Sequence, residues 1–378
     1  MKRFIFAFMA ILLLVYNLQG AGDKITVMKI PFNKLGHHIL VKAKIDGSRN
    51  SYNFMVDTGG LTFIDKKIVK DLQLKQKGPM AKITSLGLSG YQIKNIFCFT
   101  TFDFNIFRGA GTPIHGIIGS NLMERFKVTF DFRKCYVIFS TDTTSLSPSD
   151  NSLYFAFRNH PVNNAPIIKF KVNKKIIEGM IDTGQPFPVV LPFEDLEQFK
   201  KSNDTDYIRS KGLMIKWPMT TPHCNYLTRL KSCEFGSLKI NNVICIFGEI
   251  PSMFSMPLIG TDFLFQFKMI INYPKDEMLL IPNTDSHFED NQFSVGLNLN
   301  LSKNNEIFVE GIWENSPADK SNIQVGDQVI TFNSRKAAPE NLIELIEMLK
   351  DDHIKTILFE IKNKKGLKKI KLNKVLLF

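Results

Sequence analysis

Two stretches of this chain follow one script, and that duplication limits the possible folds more than any other feature of its 378 residues. Each copy opens on alternating apolar and polar residues, 40–45 in the first and 167–172 in the second, the period-two signature of a half-buried strand. A polar turn and a second apolar strand follow. They close on Met55-Val56-Asp57-Thr58-Gly59 and on Met180-Ile181-Asp182-Thr183-Gly184. Residues 93–99 are then echoed by 240–246, each after a Gly-containing turn. The third block is Gly116-Ile117-Ile118-Gly119 in one copy and Pro257-Leu258-Ile259-Gly260 in the other, leading into strand-like 126–131 and 267–272. Three blocks in one order define a duplicated β-rich lobe, with an insertion at 202–229 in the second copy.

A single Asp-Thr-Gly is an ordinary Asx-type turn. Two copies in register, each after a hydrophobic strand and before a hydrophobic-hydrophobic-Gly block, bring two carboxylates to one pseudo-symmetric place. A close carboxylate pair cannot ionise fully, so it holds one proton and its two titrations separate. One member then acts as base toward water while the other, protonated, hydrogen-bonds a scissile carbonyl oxygen; neither a metal nor a covalent intermediate is required. Asp57 and Asp182 are the candidate catalytic pair. Thr58 and Thr183 can tie the turns together, and Gly59 and Gly184 let the backbone approach the carboxylates.

On these motifs, residues 24–285 resemble a retropepsin-like (pepsin-type) aspartic peptidase with both lobes fused in one chain. The resemblance implies a mainly β, bilobal aspartic-peptidase β-barrel fold and peptide or unfolded-protein substrates. It also implies that Gly119 and Gly260 support the site by ending the strand behind each turn, with Asn121-Leu122 opening a short helix. The family carries Ala, Ser or Thr after the motif glycine, where this chain has Gly60 and Gln185. A flap over the substrate would come from 75–90 or from the second-lobe insertion with Trp217 and Tyr226.

Beyond residue 291 the pattern changes to strands around 307–309 and 329–332, a helical run at 339–349 and two closing strands. Ser316-Pro317-Ala318-Asp319 through Gly326-Asp327-Gln328-Val329-Ile330 resembles a PDZ domain of the bacterial exported type, a small α+β module. The resemblance implies that Val295, Gly296 and Leu297 form the loop that receives a peptide C-terminus. Asn322 stands where the family has Gly, in a left-handed position that Asn tolerates.

Lys2 and Arg3, an apolar run at 4–16, and Gly20, Ala21 and Gly22 read as a cleavable export signal over 1–22. The run is too short to span a bilayer, so a periplasmic or secreted protein without a stable membrane span is expected. The expected domains are lobe one at 24–145, lobe two at 150–285 and the PDZ-like domain at 291–378. The net charge of +12 is scattered, and the lysines at 362–374 alternate with apolar residues as on an exposed strand, so no nucleic-acid partner is expected. Five cysteines show no zinc-ligand spacing, and no metal or cofactor is expected; Cys224 and Cys233 are the one pair near enough in sequence for a local bridge, against five buried thiols. The alternative function is a non-catalytic peptide-binding protein on the same fold.

Overall fold

The computed structural model describes residues 26–105, 107, 112–202, 206–215, 217, 220, 224–286 and 293–377. The expected export signal, 1–22, lies outside the described residues.

Alternating sequence becomes alternating burial, and the two copies match residue for residue. Residues 39–45 of strand His38–Ile45 and the whole of strand Pro166–Val172 show one inward-outward pattern, with Lys42 and Lys44 outward in the first and Lys169 and Lys171 in the second. In lobe one the strands stand in the order Asn33–Leu35, His38–Ile45, Tyr52–Asp57, Gly116–Gly119, Phe63–Ile64, Tyr91–Phe99, Met80–Leu88 and Lys75–Lys77. A further pairing of His38–Ile45 with Met80–Leu88 rolls this sheet into a barrel. Lobe two repeats the order: Arg158–Asn159, Pro166–Val172, Lys175–Ile181, Leu258–Ile259, Val189–Pro192, Leu238–Gly248, Tyr226–Phe235 and Tyr207–Gly212. It closes in the same way, Pro166–Val172 against Tyr226–Phe235.

A six-stranded sheet joins the lobes. Each contributes three strands, and the seam is the antiparallel pair Lys127–Asp131 and Phe267–Asn272, with Thr129 opposite Ile270. Buried Phe130, Phe139, Phe267 and Met278 from its strands belong to one hydrophobic core running through both lobes. The pseudo-two-fold axis of the duplication passes through this seam.

The C-terminal domain has its own core, centred on Val309, Phe332, Leu345 and Phe359. Its strands are Leu297–Leu301, Ile307–Trp313, Gln328–Phe332, Thr356–Asn363 and Gly366–Asn373, with the helix Leu342–Lys350 packed against them. Asn322 has φ 58°, the left-handed conformation expected where the family carries Gly. Strand Gly366–Asn373 is largely exposed. Lys374 departs from the expectation of a solvated basic face: it is buried, and its ammonium donates to the Asp351 carbonyl at 2.6 Å.

The second-lobe insertion has a structural use that the sequence did not reveal. Its strand Tyr207–Gly212 pairs antiparallel with Ile307–Trp313, Ser210 opposite Trp313 and Gly212 opposite Gly311, so lobe two and the C-terminal domain share one sheet. Lys211 pairs with Asp319 at 2.5 Å across the same seam. Gly212 sits at φ +71° with no room for a Cβ beside the Glu310 carbonyl. Gly212→Val is therefore expected to open the seam, the left-handed backbone alone costing about 1–2 kcal/mol. Hydrogen exchange at residues 311–313 should accelerate while the lobe cores stay protected; unchanged protection there would show that this strand does not hold the domains together.

All five cysteines are free thiols, which removes the candidate Cys224–Cys233 bridge. Cys233 sits in the core shared by the lobes, whereas Cys224 is buried beside Arg209. Burial pushes the Cys98 and Cys233 thiols up to about 12, leaving almost no thiolate at neutral pH. Iodoacetamide should alkylate partly exposed Cys135 first in the native protein and the others only on unfolding; native labelling of Cys98 at the Cys135 rate would contradict the packing.

Candidate functional site

Each Asp-Thr-Gly turn follows a strand whose last three residues are buried in succession. Tyr52–Asp57 runs parallel to Gly116–Gly119, and Lys175–Ile181 runs parallel to Leu258–Ile259. The glycines ending the second strand of each pair are required sterically. A Cβ on Gly119 would enter the backbone of Gly60 and Leu61, and one on Gly260 would enter the Gln185 side chain and the Phe187 carbonyl. The helices behind them, Ser120–Met123 and Thr261–Leu264, fasten the turns symmetrically. The Ser120 amide donates to the Gly60 carbonyl at 3.0 Å, and the Thr261 amide donates to the Gln185 carbonyl at 3.0 Å.

Between the turns the threonines form a reciprocal lattice. Thr58 N–H donates to Thr183 Oγ1 at 3.0 Å, and Thr183 N–H donates to Thr58 Oγ1 at 3.0 Å. Each hydroxyl then donates to the opposite strand: Thr58 to the Ile181 carbonyl at 2.8 Å, Thr183 to the Val56 carbonyl at 3.0 Å. Both side chains are fully buried. Four hydrogen bonds related by the pseudo-two-fold thus fix the distance between the turns.

That lattice presses the carboxyls together. Asp57 accepts from the Gly59 amide at 2.8 Å, and Asp182 accepts from the Gly184 amide at 2.8 Å. Each carboxyl also lies over the opposite glycine. A Cβ on Gly184 would come 2.6 Å from Asp57 Oδ2, and one on Gly59 would overlap Asp182. Burial raises the pKa of both acids. For Asp57 the Gly59 amide and a hydrogen bond from Asp182 work against that rise. For Asp182 the Asp57 charge and the same shared hydrogen bond add to it, so the larger displacement falls on Asp182. Two buried carboxyls in such contact disfavour double ionisation and favour sharing a single proton.

The two departures after the motif glycines have different consequences. A Cβ on Gly60 would stand 2.6 Å from Asp57 Oδ2, so this turn excludes any side chain there unless the carboxyl moves. Gln185 is buried and turned into its own lobe, donating to the Phe187 carbonyl at 2.5 Å and accepting from the Phe187 amide at 3.0 Å. It braces the second turn from the cavity wall.

Three supporting groups escaped the sequence reading. Asn163, fully buried in lobe two, reaches across to donate to the Gly59 carbonyl at 2.6 Å. Ser120 donates to the Thr58 carbonyl at 2.7 Å and meets the buried Tyr273 hydroxyl at 2.8 Å. Nothing in the spacing of Asn163 or Tyr273 marks either one. The cleft walls, by contrast, follow the repeat. A cavity of about 1310 Å³ over the dyad is lined by Phe102 and Phe107 from lobe one and by Ile250 and Phe254 from lobe two. Both pairs directly follow the second repeated block, a position that could have identified them. Neither the expected flap at 75–90 nor Tyr226 lines the cavity; Tyr226 packs on Phe193, while Met214, Ile215 and Trp217 of the insertion do reach it.

The C-terminal loop is placed less simply than expected. Gly296 is left-handed at φ +83°, and its amide is already occupied by the Ser294 hydroxyl at 2.9 Å. Val295 is fully buried, and Leu297 points into the core while lining the groove beside the helix Leu342–Lys350.

Residues 285–358 match the PDZ domain family, so the C-terminal part of the chain carries a PDZ domain, a peptide-binding module. Among solved structures the chain is similar to the crystal structure of a retropepsin-like aspartic protease from Rickettsia conorii, at 23% identity and a TM-score of 0.24, over 32% of this chain and 96% of that one. The lobe architecture rests on the sheet order above rather than on that overlap. No curated protein matches the chain. The fold is mainly β, a duplicated barrel lobe followed by the PDZ domain. Among the described residues no helix is long and apolar enough to cross a membrane, and no cluster of His, Cys, Asp and Glu is arranged to hold a metal ion.

Proposed function

We propose that this chain is an aspartic endopeptidase that hydrolyses peptides or unfolded protein outside the cytoplasm. The observation that carries the proposal is the pair of Asp-Thr-Gly turns locked by reciprocal threonine bonds, with the two buried carboxyls held against each other. Ionised Asp57 takes a proton from a water held between the acids. That water attacks the scissile carbonyl carbon, and protonated Asp182 donates a hydrogen bond to the carbonyl oxygen as charge develops there. Collapse of the tetrahedral species returns a proton to the leaving amine and restores the pair. The aromatic walls of the cleft exclude bulk water and strengthen each of these interactions.

Digestion of a peptide library tests the reading. Cleavage should survive EDTA and serine or cysteine reagents and vanish in the Asp57→Asn, Asp182→Asn double variant; cleavage retained by that variant would refute it. The N-terminal pattern of Lys2, Arg3 and the apolar 4–16 supports export of the chain, with 24–145 and 150–285 as the peptidase lobes. Sequencing the N-terminus of protein recovered from its native host should find residues 1–22 removed.

A further inference from the structure

The cavity over the dyad does not end at the lobes. It continues without a break into the PDZ domain, where Leu297, Leu299 and Leu301 line one side and Ile343, Ile346 and Lys350 the other. The helical residues are spaced i, i+3, i+7, one face of the helix Leu342–Lys350 turned to the strand. Strand Leu297–Leu301 pairs with Ile307–Trp313 along one edge, and among the described residues its other edge has no strand partner. A free edge facing an apolar helix receives an added strand. The volume, about 1310 Å³, exceeds the roughly 300–1,000 Å³ of small-molecule sites and suits an extended polypeptide.

The polarity follows from the groove end that meets the cleft. Every strand pair in the PDZ sheet is antiparallel, so an added chain runs from the Leu301 end toward Leu297. At the Leu297 end, the Gly296 carbonyl accepts from the Trp313 amide at 2.9 Å, and Trp313 packs with Met180, Ile215 and Leu258 of lobe two. Across the groove, Lys350 lies at the cavity rim near His37 and His38 of lobe one. Burial lowers both imidazoles; for His37 the His38 charge and then the Lys350 charge add to it, and for His38 the Lys350 charge adds to it, bringing His38 to about 4. The carboxyl-side end of the groove therefore opens onto the dyad. The Gly296 amide, which would receive a terminal carboxylate, is occupied by Ser294, so a chain can run past this point.

We infer that the PDZ groove and the dyad cleft bind one continuous polypeptide, the groove holding the stretch on the N-terminal side of the scissile bond. This rests on the peptidase reading and specifies its substrate: an unfolded chain with an apolar strand of about five residues, roughly 17 Å, upstream of the cut. Hydrolysis would leave the new carboxyl-terminal fragment end beside the PDZ loop. The shared sheet between lobe two and the PDZ domain holds the two sites in register.

The test uses the full chain. Cut sites are mapped on a denatured protein, and the best-cleaved segment is made as a 20-residue peptide, as N-terminally and C-terminally shortened forms and with an amidated C-terminus. Removing the N-terminal arm should lower kcat/KM about tenfold, ~1.4 kcal/mol, for the wild type. It should have little effect in Ile343→Glu or Ile346→Glu, both at half-buried positions on the groove face. Shortening or amidating the C-terminal side should change little in any enzyme. Equal responses of wild type and groove variants to N-terminal truncation would overturn the inference and leave the peptidase reading intact. So would loss of cleavage on amidation, which would assign the groove to a terminal carboxylate. Failure to cleave any segment would remove the peptidase reading, and this inference with it.

Discussion

Asp57→Asn and Asp182→Asn are each expected to lower peptide hydrolysis by about 10²–10⁴-fold, the range for removing a positioned acid or base, while making the folded protein more stable at neutral pH. The amide oxygen of either Asn still accepts from the Gly59 or Gly184 amide, and its NH₂ can donate to the remaining carboxylate, so the turn keeps its shape. The gain in stability has a definite sign. Both carboxyls are raised by burial, so the folded state binds more protons than the unfolded one once pH passes the ordinary carboxyl range. Stability is then lost as pH rises through the folded values. Replacing one acid removes that loss, and melting temperature at pH 7 should rise by a few degrees in each variant. A fall in melting temperature together with the fall in rate would show that the pair supports the fold rather than the chemistry.

Thr58→Val is expected to cost the most stability of any conservative change near the site. Its hydroxyl accepts the Thr183 amide and donates to the Ile181 carbonyl, and valine leaves both backbone groups buried without partners. At roughly 1–3 kcal/mol for each unsatisfied group, the loss is roughly 2–6 kcal/mol out of the 5–15 typical of a whole domain. The spacing of the turns depends on the same bonds, so activity should fall with stability. Thr58→Ser, which keeps the hydroxyl, should restore most of both. Urea denaturation of the three proteins, read beside their turnover, makes the comparison; equal midpoints for wild type and Thr58→Val would mean that the threonine lattice does not join the lobes.

What the sequence revealed and what it concealed divide along a physical line. Strands with one buried face write a period of two into the sequence, so His38–Ile45 and Pro166–Val172 could be read directly, and their common pattern exposed the duplication. The meeting of the two turns followed from that symmetry. The left-handed Asn322 and the helix Leu342–Lys350 were equally legible, since each is set by local chemistry. Contacts made once, between segments far apart, left no such trace. Asn163 reaches Gly59 across 104 positions, and Ser120 meets Tyr273 across 153. The insertion read only as a candidate flap because Tyr207–Gly212 completes its pattern only against Ile307–Trp313, a strand of another domain. The departures at Gly60 and Gln185 were visible as letters, but only packing showed that one leaves space for the Asp57 carboxyl and the other braces its own turn.

The dependence of kcat/KM on pH for a single well-cleaved peptide tests the central claim, that a buried acid pair works with one proton between its members. Asp57 must be charged and Asp182 protonated, so the rate should fall on both sides of the singly protonated window. The acid limb lies above the ordinary aspartate value of about 3.9 because burial raises Asp57, and the alkaline limb lies higher still because the Asp57 charge adds to the burial of Asp182. We expect a bell with its optimum between about pH 4 and 6.5, unchanged by chelators. A rate that climbs without a break through pH 8, or that disappears with EDTA, would contradict the account.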